Sequence, residues 1–226
     1  MQNERIQALR DAGALPRFIA VEGPIGVGKT TLARRLADTF NYEVLLEQAQ
    51  ENPFLERFYR EPRRYALQTE LFFLFQRAEQ LRELKQHSLF EQVRVSDFLI
   101  DKNELFAQVT LDEDEFGLYR NVHRHLTLDA PRPDLVIYLQ APTSVLLQRI
   151  GKRGLAHERS IDGDYLDRLN NAYARFFHFY DDAPLLIVNA ADIDFAGNDN
   201  DYQQLVSYLL DIRKGRHYFN PRPLGA

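Results

Sequence analysis

The run Gly23-Pro24-Ile25-Gly26-Val27-Gly28-Lys29-Thr30 limits what this chain can fold into more than any other feature. It fits the pattern G-x-x-x-x-G-K-[ST] in the strand-to-helix context that pattern requires. Upstream, Phe18-Ile19-Ala20-Val21 is a short apolar run that reads as a buried strand. Downstream, Leu32, Ala33, Leu36, Ala37 and Phe40 recur at helical spacing, so the loop opens onto a helix N-terminus. Glycines let successive backbone N–H groups turn toward one anion, and the helix dipole adds roughly half a positive charge at the same point. The expectation is a triphosphate cradle running from Gly23 through Thr30 to Thr31. Lys29 would reach the β- and γ-phosphates, and the Thr30 hydroxyl would ligate magnesium.

Composition limits the rest. A chain of 226 residues with 45% hydrophobic content can bury one sizeable core, so a single domain over 1–226 is expected, with 1–16 as an N-terminal extension. Lys plus Arg number 28 against 33 Asp plus Glu, a net charge of −5, which provides no global basic field for a long nucleic acid. Small-molecule phosphate chemistry fits better. Cysteine is absent, which removes disulfide and thiol chemistry and fits a reducing compartment. No segment reaches the roughly 18 uninterrupted apolar residues of a membrane span, and the charged start, with Glu4, Arg5, Arg10 and Asp11, is unlike a signal peptide. A soluble, cytoplasmic protein is expected.

Strand-like and helical runs alternate along the chain. After Phe18–Val21, strands are predicted at 42–46, 93–96, 134–139 and 185–188, and helices at 54–59 and from about 63 to 85. Five strands separated by helices imply right-handed crossovers and an α/β fold: a five-stranded parallel sheet covered on both faces. The tail from Gly215 to Ala226 is Gly/Pro-rich and is expected to be loosely ordered. Ligands of such sheets collect at the carboxyl ends of the strands. Glu47 directly follows the second predicted strand and Asp97 the third. Transfer of a phosphoryl group to a hydroxyl needs a carboxylate to accept its proton and a second acid near the metal. Read alone, either residue could equally be a helix cap or a solvated acid.

Several separated segments then carry a family resemblance. FIAVEGPIGVGKTTLA, LLEQAQENPFLERFY, SDFLIDKNELFA and RPDLVIYLQAPTSVLLQRIGKRG occur in the order and spacing typical of deoxynucleoside kinases, and the chain most resembles their bacterial deoxyguanosine/deoxyadenosine branch. The resemblance spans about residues 17 to 190. It implies a P-loop kinase fold with an Arg-rich lid, and transfer of the γ-phosphoryl group of ATP to the 5′-hydroxyl of a deoxynucleoside. By motif position the family's general base falls on Glu47 and the acid beside magnesium on Asp97. The lid falls on Arg149, Lys152, Arg153 and Arg159. Arg149 and Arg153 stand four apart, so both guanidinium groups can address the same phosphates. The pair that holds the sugar 3′-hydroxyl falls on Tyr59 and Glu158.

For the base, Glu70 and Arg77 share one face of the long helix about 10.5 Å apart along its axis. Relatives commonly have glutamine at the first position. A carboxylate only accepts hydrogen bonds, so Glu70 favours a base edge that presents N–H donors, as guanine does. Phe106 occupies the place of the family's stacking phenylalanine, with Asn103 a further polar contact. The loop after the last strand, including Asp192 and Ile193, covers the adenine of ATP in the resembling kinases. Two departures stand out: Phe98 follows Asp97, and Leu155 sits in the lid, where many members have arginines.

Two other readings belong beside this one. A nucleoside monophosphate kinase shares the fold but needs cations for the acceptor's phosphate, and Arg77 and Lys102 are the candidates. A catalytically silent ATP-binding module is favoured by Phe98 and Leu155 and disfavoured by retention of Lys29, Thr30, Glu47 and Asp97 together. A homodimer is expected, since the helix carrying Phe72 to Phe75 has more apolar surface than one core stripe requires.

Overall fold

The computed structural model describes residues 2–87, 93–127, 130–193, 195 and 198–220. Its helices are α1 (Gln2–Asp11), α2 (Lys29–Phe40), α3 (Leu55–Arg60), α4 (Pro62–His87), α5 (Lys102–Thr110), α6 (Glu113–Thr127), α7 (Thr143–Arg153), α8 (Gly163–Phe179) and α9 (Asp199–Leu209). The strands are β1 (Phe18–Glu22), β2 (Glu43–Leu45), β3 (Arg94–Ser96), β4 (Leu135–Gln140), β5 (Leu185–Asn189) and β6 (Arg216–Phe219). They form one sheet in the order β2-β3-β1-β4-β5-β6, parallel throughout.

The central strands are apolar without alternation because helices cover both of their faces. Ile19, Ala20 and Val21 of β1 and Leu135 through Leu139 of β4 are all buried. α2 covers the sheet with the stripe read from the sequence: Leu32, Ala33, Leu36, Ala37 and Phe40 are its buried residues. A smaller cluster of Leu74, Tyr119 and Ala107 joins α4, α6 and α5. Tyr138, Tyr173 and Phe177 stack between β4 and α8, with the Tyr138 and Phe177 centroids 4.2 Å apart.

The sheet corrects the sequence reading in one respect. It has six strands rather than five, and the sixth lies in the segment expected to be loosely ordered. An edge strand needs little apolar sequence, since one side of its ladder is unpaired. In β6 only Phe219 is buried while Tyr218 is 65% exposed, so no hydrophobic run announces it. Arg216 fixes its start by donating to the Phe177 and His178 carbonyls at 2.8 and 2.9 Å. Residues 221–226 of that tail lie outside the described residues.

Candidate active site

The exits of β1, β2 and β3 converge on one cavity of about 900 Å³. At its floor, the phosphate loop turns through left-handed glycines. Gly26 has φ 82°, and a Cβ there would meet the Ile150 side chain at 2.8 Å. At Gly23, φ 148°, a Cβ would lie 2.5 Å from the Leu139 carbonyl oxygen, so the loop rests directly on the end of β4. Gly28, φ 107°, precedes α2 without a side-chain cap, leaving the first-turn amides of that helix available to an anion.

Lys29 Nζ donates to the Gly23 and Pro24 carbonyls at 2.8 and 3.1 Å, which holds the ammonium within the loop. Burial and then the nearby Lys102 lower its pKa to about 8. Thr30 Oγ1 donates to Asp97 Oδ2 at 2.5 Å, and Asp97 Oδ1 accepts from the Glu47 backbone N–H at 2.7 Å. The phosphate loop, the β3 exit and the β2 exit are therefore locked by a single carboxylate.

The Glu47 side chain lines the cavity and pairs with Arg77, while Lys102 Nζ lies 3.3 Å from its Oε1. Burial opposes its ionisation most strongly, but Arg77 and Lys102 together outweigh burial and hold the carboxyl well below the usual carboxylate range. Lys102 is itself buried, between Glu47 and Glu22, with 3.8 Å to Glu22 Oε1. Glu22 belongs to the site although no motif marks it. It is fully buried and accepts from the Gly23 and Leu99 N–H groups at 2.9 and 2.7 Å and from the Tyr173 hydroxyl at 2.8 Å. Its one sequence signal is an acid ending an otherwise apolar strand immediately before the glycine loop.

Other expected residues fall on the same cavity. Tyr59, Glu70, Phe106, Arg153 and Glu158 all line it. Arg153 Nε donates to Glu158 Oε2 at 3.0 Å, and a second guanidinium nitrogen binds the other carboxylate oxygen. The Tyr59 hydroxyl has its pKa pushed up by burial and by the Glu158 charge. Thr110 Oγ1 lies 3.2 Å from Glu70 Oε1. Phe106 meets Tyr173 edge to face, centroids 6.0 Å apart. Asn103, in contrast, does not line the cavity: it is fully buried, and neither atom of its amide has a hydrogen-bond partner among the described residues.

Three expectations differ in placement. Arg149 does not converge with Arg153. Its guanidinium donates to the Val27, Ala190, Ala191 and Ile193 carbonyls at 2.8 to 3.2 Å, because the β5 exit offers it a cluster of acceptors. Ile193 is buried beneath that clasp while Asp192 is exposed, and parts of the following loop lie outside the described residues. Arg77, expected at one end of the base or, in the monophosphate-kinase reading, at the acceptor's phosphate, is committed to Glu47, and its guanidinium lies 5.8 Å from the ring centroid of Phe98. Phe98 is buried. Of residues 72–75, Leu74 is fully buried, Phe72 and Phe73 are half-buried and Phe75 is 53% exposed, so α4 does leave apolar surface outside the core.

The family profile described as deoxynucleoside kinase matches residues 19–212. The chain belongs to the deoxynucleoside kinase family. It is 35% identical to a deoxyguanosine kinase of Bacillus subtilis over 200 residues, covering 86% of this chain and 97% of that one. It is 30% identical to a deoxyadenosine kinase of Lactobacillus acidophilus over 207 residues, covering 85% and 94%. Among solved structures, deoxyadenosine kinase from M. mycoides with bound dATP superposes with a TM-score of 0.73 at 26% identity, covering 85% of this chain and 98% of that one. The same enzyme with dCMP and a flexible dCDP gives 0.74 at 25% identity, covering 86% and all of that chain. As members of this family are kinases, the chain is a phosphotransferase, and among its described residues no helix is long and apolar enough to cross a membrane.

Proposed function

We propose that this kinase transfers the γ-phosphoryl group of ATP to the 5′-hydroxyl of a purine deoxynucleoside, with Glu47 as the proton acceptor. The observation that supports this reading is the chain Thr30–Asp97–Glu47, which ties the backbone of Glu47 to the wall of the cavity that the phosphate loop floors. Glu47, held ionised by Arg77 and Lys102, orients the hydroxyl and accepts its proton. A carboxylate ionised so firmly is a weak base, which suits a loose transition state in which the hydroxyl gives up its proton late.

The hydroxyl and carboxylate oxygens of Thr30 and Asp97 are a hard donor set. That fits magnesium, which takes one or two protein oxygens plus phosphates and water. Bound there, it would neutralise charge on the phosphate oxygens. Lys29 and Arg153 supply the protein's own positive charge, and Arg149 acts as a brace between the loop and the β5 exit. Tyr59 and Glu158 bind the sugar. The monophosphate-kinase reading loses its support because Arg77 and Lys102, its candidate cations, are both engaged by Glu47. Incubation with ATP, magnesium, and each of the four deoxynucleosides and their ribo-counterparts should give ADP only with a deoxynucleoside present. Product from dGMP but not deoxyguanosine would overturn the reading.

The proposal includes a homodimer, formed by the α5–α8 face. Phe179 is 76% exposed there, beside Phe176, around a cavity of about 940 Å³. Asp101 just before α5, Glu104 on α5, and Arg168 and Arg175 on α8 line the same face, an arrangement of both signs that can be self-complementary under a two-fold axis. Sedimentation of F179E should shift the protein to monomer.

A further inference from the structure

Glu70 poses a problem of proton counting. It lies on α4 with 3% exposure and lines the cleft, at the end that the kinase reading gives to the base. The Thr110 hydroxyl on α5 is 3.2 Å from Glu70 Oε1 and 2.9 Å from the Phe106 carbonyl oxygen. A hydroxyl has one proton to give. Were Glu70 ionised, two acceptors would compete for that proton. With a proton on Glu70, the carboxyl donates to Thr110 Oγ1, Thr110 donates to the Phe106 carbonyl, and each proton has one acceptor.

The charges around Glu70 agree. Arg77 on the same helix is paired with Glu47, and Lys102 on α5 stands between Glu47 and Glu22. Glu47 at the β2 exit adds negative charge, and Tyr59 on α3, Tyr119 on α6 and Tyr165 on α8 are phenols whose own ionisation burial suppresses. Burial raises the Glu70 carboxyl to about 7 against the opposing pull of Arg77 and of the Thr110 bond.

We propose that Glu70 selects the base by its protonation state: as a neutral acid it reads adenine, and as a carboxylate it reads guanine. This rests on the kinase reading above. A carboxylic acid offers one donor and one acceptor, which complements the N1 acceptor and 6-amino donor of adenine. A carboxylate offers two acceptors, which complement the N1–H and 2-amino donors of guanine. When the acid's proton turns to the base, Thr110 keeps the Phe106 carbonyl as its acceptor. Cytosine, with N3 accepting and its 4-amino group donating, follows adenine.

The test measures kcat/KM for deoxyguanosine, deoxyadenosine and deoxycytidine across neutrality. Protonation of groups common to all three reactions cancels in the ratio. From about pH 6 to about pH 8 the deoxyguanosine-to-deoxyadenosine ratio should rise about tenfold or more, with deoxycytidine tracking deoxyadenosine. E70Q, fixed as one donor and one acceptor, should give a flat ratio favouring deoxyadenosine. A carbon-13 carboxyl spectrum of the nucleoside-free protein should show a protonated carboxyl that titrates near neutrality and is missing from E70Q. A flat wild-type ratio, or a Glu70 carboxyl ionised down to about pH 5, overturns the proposal while leaving the kinase intact. Failure to phosphorylate any deoxynucleoside would sink the kinase reading yet leave the carboxyl titration interpretable.

Discussion

At the phosphate end of the cleft, the polar groups hold one another. Glu22 accepts from Gly23, Leu99 and Tyr173, Thr30 is tied to Asp97, Asp97 to Glu47, and Lys29 to the carbonyls of its own loop. At the base end, the Arg77 Nε is buried without a partner among the described residues, as is the amide of Asn103 on the adjoining α5, and the Thr110 hydroxyl that meets Glu70 also meets a backbone carbonyl. The contrast teaches how such an enzyme divides its work. A site that must treat every triphosphate alike can be pre-organised by the protein. A site that must discriminate does so through buried groups that a wrong ligand would leave unpaired, which can be worth about 10⁴ in selectivity.

If the phosphate end is the rigid one, the largest effect should come from its best-held member. E47Q keeps the shape and removes the base, so turnover should drop on the order of 10³ with ATP affinity unchanged. A matching loss of ATP affinity would mean that Glu47 holds the loop rather than the proton. At the base end, the sign of the pH effect is fixed by the raised Glu70 pKa. The folded protein retains that proton between the ordinary value of 4.5 and about 7, so wild-type stability should fall relative to E70Q as pH rises through that window. The difference reaches about 3 kcal/mol, and parallel unfolding curves at both ends of the window would erase the distinction. R153A, which removes a lid cation and releases Glu158, should lower kcat by about 10². The smallest effect is the most telling. N103L replaces an amide lacking partners with an apolar group of similar size, so thermal stability should rise by about 1 kcal/mol while the deoxynucleoside KM increases about tenfold. A loss of stability instead would place Asn103 with the structural groups.

How much of this the sequence revealed follows from how local each signal is. The phosphate loop, β1 and the apolar stripe of α2 are encoded within about two dozen consecutive residues and were legible, as were β4 and β5 as unbroken apolar runs. Glu47 and Asp97 stood out because they follow strands. The resemblance located Tyr59, Phe106 and Glu158 on one cavity, but not who pairs with whom. That Arg77 would bind Glu47, Arg153 bind Glu158 and Arg149 clasp the β5 exit depends on which acceptors lie within reach of long side chains, a tertiary fact. Glu22 was hidden because a buried acid within an apolar strand reads as a strand end. β6 escaped because a strand at the border of a sheet carries so little apolar sequence.

That border strand bears on where the chain can be shortened. β6 covers one whole side of β5, pairing Leu185 with Arg216 through Val188 with Phe219. Ending the polypeptide before residue 216 would remove nothing from the cleft, yet it would bare a row of β5 amides and carbonyls beside apolar side chains. A truncated enzyme of that kind would fail by sticking to its own copies rather than by losing its chemistry.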